Sequence, residues 1–312
     1  MSASIKVSKT SSNSSKVSRR SGWIAVLWTL PALAFYLLFA IVPMFIAVYL
    51  SFTNWNGLSP ATWVGLKNWI ALLSDSVTGH ALILTVEVMI VSWIVQTPLS
   101  LILGVFMAGQ QRYRAVLSVV YFIPLLFSAV AIGLTWVSIL DPNFGLLDTF
   151  LKTIGLPGLA RGWLGDPDLA FFVVMAIICW QFIPFHALLY LGGARQIPKE
   201  LYEAANIDGA GRIQNFFSIT LPQLKYTIIT STTLIFTGSL TYFDLFWVTT
   251  GGGPGYATRV LPLQMYITAF PNESVGYGSV LAVLLALFGI VLSFILLRFT
   301  GFTKMSSQLE GL

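Results

Sequence analysis

Charge is scarce in this chain of 312 residues. Asp, Glu, Lys and Arg make up 9% of it, against roughly a quarter in an ordinary soluble domain. That shortage excludes a solvated globular surface. Cysteine occurs once, at Cys179, so no disulfide can close within the chain and a buried thiol is expected. Two histidines, His80 and His186, are too few for a multi-histidine metal site. With no clustered acids either, no catalytic residue, metal or cofactor is expected, and an intramembrane enzyme is disfavoured. A phosphate-binding G-x-x-x-x-G-K-[ST] loop is also missing. The Gly251–Gly255 run lacks the lysine such a loop needs.

What the chain has in abundance is apolar sequence: 56% of its residues are hydrophobic. A helix needs about 20 such residues to cross a bilayer. Six stretches qualify, at approximately 23–50, 81–108, 115–140, 169–192, 224–250 and 276–298. The expected fold is therefore an all-α polytopic membrane protein with six transmembrane helices. Residues 1–20 are Ser-rich and basic without a long apolar run, which predicts a disordered cytoplasmic tail. The run that follows is longer than the about 7–15 residues of a signal-peptide core, and no small-residue cleavage site follows it, so it reads as a retained first helix. Residues 21–304 form the membrane domain and 305–312 a short C-terminal tail.

Lys and Arg in the connections set the orientation. Lys6, Lys9, Lys16, Arg19, Arg20, Arg112, Arg114, Arg195, Lys199, Arg212, Lys225, Arg298 and Lys304 fall on one side. Lys67, Lys152, Arg161 and Arg259 fall on the other. Both termini and the loop 195–223 are thus expected in the cytoplasm. Basic residues scattered along membrane flanks do not make a nucleic-acid surface. Outside, residues 51–80 carry Trp55, Trp63 and Trp69, and residues 141–168 carry Trp163. These suit interfacial anchoring, or a docking surface for an extracytoplasmic protein. Pro31, Pro43, Pro98, Pro124, Pro184 and Pro262 punctuate the spans. Each frees a backbone carbonyl that must be satisfied inside protein or in a wet cavity.

The loop 195–223 is a polar island between apolar runs. Pro198 suits a helix start, Lys199–Asn206 are good helix formers, and Asp208-Gly209 offers a turn with Gly at positive φ. Gly211–Ser218 can form a second short helix, stopped by Pro222. A cytoplasmic helix–turn–helix and an ordinary inter-helix loop both fit this pattern. A polar small molecule is held by hydrogen bonds and aromatic faces in an otherwise apolar pocket. Trp180, Gln181 and Phe185 on the fourth span, and Ser239, Thr241, Tyr242 and Asp244 on the fifth, are candidates. Bundle packing, or for the hydroxyls local backbone bonding, is the plainer role for each. An acid inside a span usually faces a cavity or a partner, which singles out Asp244 and Glu87. His186 reads as a satisfied interior residue.

Glu203, Ala204 and Ala205, then Gly209, then Ile219, Leu221 and Pro222 resemble the EAA signature of the membrane subunits of binding-protein-dependent ABC importers. A second block resembles the carbohydrate permeases of the maltose and glycerol-phosphate type. It comprises Thr250, Gly251, Gly252, Gly253 and Pro254, then Thr258, Tyr266, Ala269 and Phe270, and Gly276 to Ser279. Phe52-Thr53 and Gly65-Leu66-Lys67-Asn68 resemble that branch too, and the likeness covers roughly residues 23–304. It implies a type I importer permease with a cytoplasmic EAA helix–turn–helix in which Glu203, Ala204, Ala205, Asp208, Gly209, Ile219, Leu221 and Pro222 couple to an ATPase. It also implies a second homologous permease subunit, two ATP-binding ABC subunits, an extracytoplasmic solute-binding protein, a sugar substrate and a surrounding lipid bilayer, the prokaryotic cytoplasmic membrane. Substrate contacts would lie on the fourth and fifth spans, and the Gly251–Pro254 turn would help a docked binding protein release sugar, unless it is only a tight turn. Few membrane-level cations favours a neutral di- or oligosaccharide. The alternative is an ion-coupled secondary transporter acting without an ATPase.

Overall fold

The computed structural model describes residues 19–109 and 111–300; the expected tail 1–18 and the segment 301–312 lie outside them. The chain divides after Ala47 into two compact units. Helix α1 (Arg19–Tyr36) passes through a π-helical turn, Leu37–Ile41, into α2 (Val42–Leu50), whose last three residues belong to the second unit. The π turn has a physical cause. A proline ring clashes with the carbonyl four residues back; for Pro43 that is Phe39, in the middle of the widened turn.

After α2 comes an antiparallel hairpin, β1 (Thr53–Asn54) and β2 (Thr62–Trp63), paired Thr53 to Trp63 and Asn54 to Thr62. Asn56 closes its loop by accepting the N–H groups of Leu58 and Ser59. Next comes α3 (Lys67–Ser74), whose Asn68 amide donates to the carbonyls of Ser51 and Thr53 at 3.1 and 2.8 Å. Helix α4 (Ser76–Met107) follows directly. Asp75 caps it, accepting the N–H groups of Val77 and Thr78. Tyr277, far along the chain, donates its hydroxyl to the same carboxylate at 2.7 Å.

The third apolar stretch, expected at 115–140 as one span, is broken. Helix α5 (Arg112–Phe122) runs into a 3-10 turn at Ile123–Leu126, and α6 (Ala129–Ile139) leaves at 97° to that segment. Pro124 sits in the tight turn, and Ser128 caps α6 by accepting the Ala131 N–H at 3.2 Å. Outside this break α7 (Leu146–Thr153) forms a short amphipathic helix, with buried Asp148 accepting from the Trp163 indole at 2.7 Å. Helix α8 (Pro167–Arg195) is continuous through Pro184.

The loop 195–223 is helical: α9 (Lys199–Ile207), α10 (Arg212–Asn215), a π turn at Phe216–Thr220, and α11 (Leu221–Gln223). The second segment runs beyond the expected Ser218 and ends at Gln223, one residue after Pro222 and before the next span. The carbonyl the Pro222 ring would strike, that of Ser218, lies inside the π turn, so the helical path continues to Gln223. The expected fifth span, 224–250, is also divided. It consists of α12 (Lys225–Ser239) and α13 (Asp244–Thr250), joined by an irregular turn. A glycine-rich turn leads to α14 (Leu261–Ala269), with Pro262 in its first turn, and α15 (Val275–Thr300) closes the described chain.

Among the described residues four helices are long and apolar enough to cross a membrane, and the bent α5–α6 pair makes a fifth if taken as one broken span. The core lies along α4 and α8. Gly104 lets the two approach: a Cβ there would sit 2.6 Å from the Ala187 carbonyl and the Tyr190 Cβ. Val88, Val174, Ile178 and Phe246 fill the middle of this core. Buried Thr85 accepts the Leu261 N–H at 2.9 Å, tying the start of α14 to α4.

Candidate functional site: a cavity at two helix breaks

Both helix breaks face the same space. The α5–α6 break contributes Leu125 and Ala129, and the α12–α13 break contributes Gly238, Thr241, Tyr242, Phe243 and Asp244. From α8 come Gln181, Phe182, Phe185 and His186, two i,i+4 pairs on adjoining stripes of one face. Together they enclose a cavity of about 370 Å³, within the range of small-molecule sites, roughly 300–1,000 Å³. Irregular backbone at membrane depth is tolerated where it lines such a space, so the breaks and the cavity account for each other.

The sequence candidates divide cleanly. Gln181, Phe185, Thr241, Tyr242 and Asp244 line the cavity. Trp180 does not; it packs edge-on against Trp136 at 5.6 Å. Ser239 does not either; it is buried and donates to the Ile235 carbonyl at 2.7 Å. Glu87 lies exposed on α4, away from the lining. Phe182 lines the cavity without having been singled out from the sequence, and His186, read as a satisfied interior residue, is buried and lines it as well. Phe182 packs at a tilt against Tyr242, with ring centroids 5.3 Å apart. His186 is held through Nδ1 by Ser231 at 3.0 Å. The adjoining i,i+4 pair, one residue on from Gln181 and Phe185, was the signal that would have placed Phe182 and His186 on this face. The buried Gln181 Oε1 has no hydrogen-bond partner among the described residues.

The second candidate region is the helical hairpin α9–α11. Helix α9 ends in a Schellman motif: Ala210 N–H bonds the Ala205 carbonyl at 2.9 Å and Gly209 N–H bonds Asn206 at 3.1 Å. Gly209 takes φ +82°, as its place after Asp208 predicted. The two arms are stitched by Tyr202 to Thr220 at 2.9 Å and by Asn215 to Asn206 at 3.0 Å. Ile219 and Leu221 turn inward and pack on Tyr190, Ile197 and Leu224. Glu203, Ala204, Asp208, Gly209 and Pro222 stay exposed, and Ala205 is half-buried. Ile207 and Ile213 are 87% and 76% exposed, so the free face is apolar beside its single acids. Sequence pattern alone does not mark those two isoleucines.

The glycine-rich turn folds back on itself. Gly251, Gly252 and Gly255 have φ of +60°, +91° and +59°. Thr258 donates to the Gly253 carbonyl at 2.8 Å and lies 2.6 Å from the Thr250 hydroxyl. Buried Gly252 lies so near Arg259 and Leu263 that a Cβ would be 3.2 Å from each. Pro254 is half-buried beside it.

A family model matches residues 96–301, covering the hairpin, the cavity-lining α8, α12 and α13, and the glycine-rich turn; its description is binding-protein-dependent transport system inner membrane component. The chain belongs to this family. Other such inner membrane components are its relatives along nearly the whole length. A probable ABC transporter permease protein, YurN, of Bacillus subtilis is 38% identical, covering 88% of this chain and 95% of its own. The trehalose/maltose transport system permease protein MalF of Thermococcus litoralis is 34% identical, covering 90% and 94%. Among solved structures, a bacterial ABC transporter involved in import of the acidic polysaccharide alginate has a chain that superposes with a TM-score of 0.80. It is 20% identical and covers 92% of this chain and 98% of that one; the likeness is one of fold. As an inner membrane component the chain is a multi-pass membrane protein, and its family works with a binding protein.

Proposed function

We propose that this chain is the transmembrane permease subunit of an ATP-driven, binding-protein-dependent sugar importer, carrying a neutral di- or oligosaccharide. The observation behind this reading is the cavity. Gln181, Thr241, Tyr242 and Asp244 supply hydrogen-bonding groups, Phe182 and Phe185 supply aromatic faces, and no Lys or Arg lines it. A neutral polyol suits that set better than an anion, which would meet the Asp244 carboxylate with no cation to offset it. Relatives named for trehalose/maltose and diacetylchitobiose transport support the sugar class.

The assembly that follows has a second homologous permease subunit, two ABC ATPase subunits and an extracytoplasmic solute-binding protein, in a prokaryotic cytoplasmic membrane with both termini inside. Residues 21–304 make the permease domain, flanked by tails 1–20 and 305–312. In this reading Glu203, Ala204, Ala205, Asp208 and Gly209 contact the ATPase. Ile219, Leu221 and Pro222 carry its movement to the bundle, because the first two pack on the Tyr190–Leu224 cluster. ATPase closure then biases one arrangement of the bundle over another. The Gly251–Pro254 turn helps release sugar from the docked binding protein.

The test is Glu203→Lys, read in proteoliposomes holding the complete importer. Membrane insertion is expected to be normal, while association with the ATPase weakens and ATP-driven uptake is lost. Wild-type uptake by this variant would overturn the coupling assignment.

A further inference from the structure

Between the hairpin and the adjacent ends of α4 and α8 lies a second cavity, of about 840 Å³. It is on the inner side of the hairpin, away from the exposed Glu203–Gly209 face. Three cations line it: Arg114, Arg195 and Lys199. No Asp or Glu lines it; Glu200, in the first turn of α9, is exposed elsewhere. Among the described residues no ion pair engages Arg195 or Lys199. Three like charges around one cavity repel each other unless an anion joins them.

The rest of the lining is arranged for an anion as well. Arg114 and Lys199 stand in the first turns of α5 and α9, neither of which has a side-chain cap, so the positive ends of two helix dipoles lie near the cavity. The Tyr202 and Thr220 hydroxyls, bonded to each other, also line it. Arg114 is fixed in place. Its guanidinium donates to the Phe106 carbonyl and to the Tyr113 hydroxyl, and lies 4.5 Å from the Phe106 ring centroid. A Cβ on Gly109 would collide with it. Arg195 and Lys199 have no such fixing bonds and are free to close on an occupant.

We propose that this cavity binds a phosphate-bearing anion, held by Arg195 and Lys199 with Arg114 behind them. Two sources carry that chemistry: the headgroup of an anionic phospholipid and free phosphate. Basic pockets between membrane helices on the cytoplasmic side suit the former. The site is separate from the sugar cavity and does not depend on what the chain transports.

The test uses the complete importer, purified in neutral detergent and delipidated, with isotherms for three probes: dihexanoyl-phosphatidylglycerol, dihexanoyl-phosphatidylcholine and inorganic phosphate. Phosphatidylglycerol is expected to bind and phosphatidylcholine not. At about a fivefold loss per cation removed, Arg195→Gln with Lys199→Gln weakens binding about thirty-fold. The charge-conserving pair Arg195→Lys with Lys199→Arg retains it. Inorganic phosphate binding with the same sensitivity assigns the site to the soluble source; phosphatidylglycerol binding alone assigns it to lipid. If the double variant fails to assemble by size exclusion, Arg195→Gln alone is read for the fivefold loss. Equal binding of phosphatidylcholine, no binding of either anion, or anion binding unchanged by the variants would overturn the proposal.

Discussion

Gln181 is the residue on which the sugar reading is most exposed, because its buried Oε1 lacks a protein partner while its side chain lines the cavity. Replacing it with leucine keeps the volume and removes the hydrogen bond. Apparent affinity for sugar should fall about two- to tenfold, the worth of one net hydrogen bond. Trp180→Phe, one residue away but packed on Trp136, should leave affinity unchanged. Uptake kinetics on the two variants check the contrast; equal effects would remove Gln181 from the site. Asp75 makes a different prediction, about pH. Burial alone would raise its pKa, but the Thr78 and Tyr277 hydroxyls and the N–H groups of Thr78 and Val77 together hold it below the ordinary 3.8. A carboxylate depressed in the folded state adds stability above its unfolded pKa, and that stability is lost as pH falls through the folded value. Asp75→Asn should therefore be less stable than wild type at pH 7. The gap should narrow below about pH 4, near the ordinary carboxylate value, in thermal unfolding of the purified complex.

At the scale of elements, close approach decides what can change. Gly133 on α6 faces α13: a Cβ there would lie 2.8 Å from Val248 Cγ1 and 3.6 Å from the Leu245 Cδ2. Leu245 is a wall of the cavity. Gly133→Leu should cost about 1–3 kcal/mol by overpacking and push that wall inward, lowering both the unfolding temperature and sugar uptake. A stability loss with unchanged uptake would separate this contact from the cavity. These same elements mark where the sequence was legible. The long helices α4 and α8 follow from uninterrupted apolar runs, and the hairpin turn follows from Asp208-Gly209. The two breaks do not. Hydropathy averages over a span, whereas a break depends on single polar groups: Ser128 capping α6, and the Thr241 N–H and hydroxyl both returning to the Gly238 carbonyl at 2.9 and 2.8 Å. The length of the second hairpin segment was missed for a related reason, since a π turn upstream of Pro222 carries the helical path past Ser218 to Gln223. The signature glycines were legible as a pattern but not as contacts. Gly276 leaves room for the Thr53 carbonyl, where a Cβ would collide, and its N–H bonds Trp55 at 3.0 Å. Two motifs more than two hundred residues apart are thus one joint, which spacing along the chain cannot reveal.

For the whole molecule the question is what drives transport. An ion-coupled carrier would need its membrane-level acids to cooperate at the substrate site. Asp244 lines the cavity, but Glu87 lies exposed on α4 outside that lining, so the two do not form one site. The hairpin, by contrast, joins an outward face carrying Glu203, Ile207 and Ile213 to an inward face seated on the core of α4 and α8. That arrangement suits the proposed coupling to an ATPase better than it suits a self-sufficient carrier. Uptake by the reconstituted importer should accordingly follow ATP, ignore a protonophore and stop without the ATPase subunits. Sugar concentrated in vesicles by this chain alone, and dissipated by the protonophore, would reverse the conclusion, because the energy would then have to enter through the membrane acids and not through the hairpin.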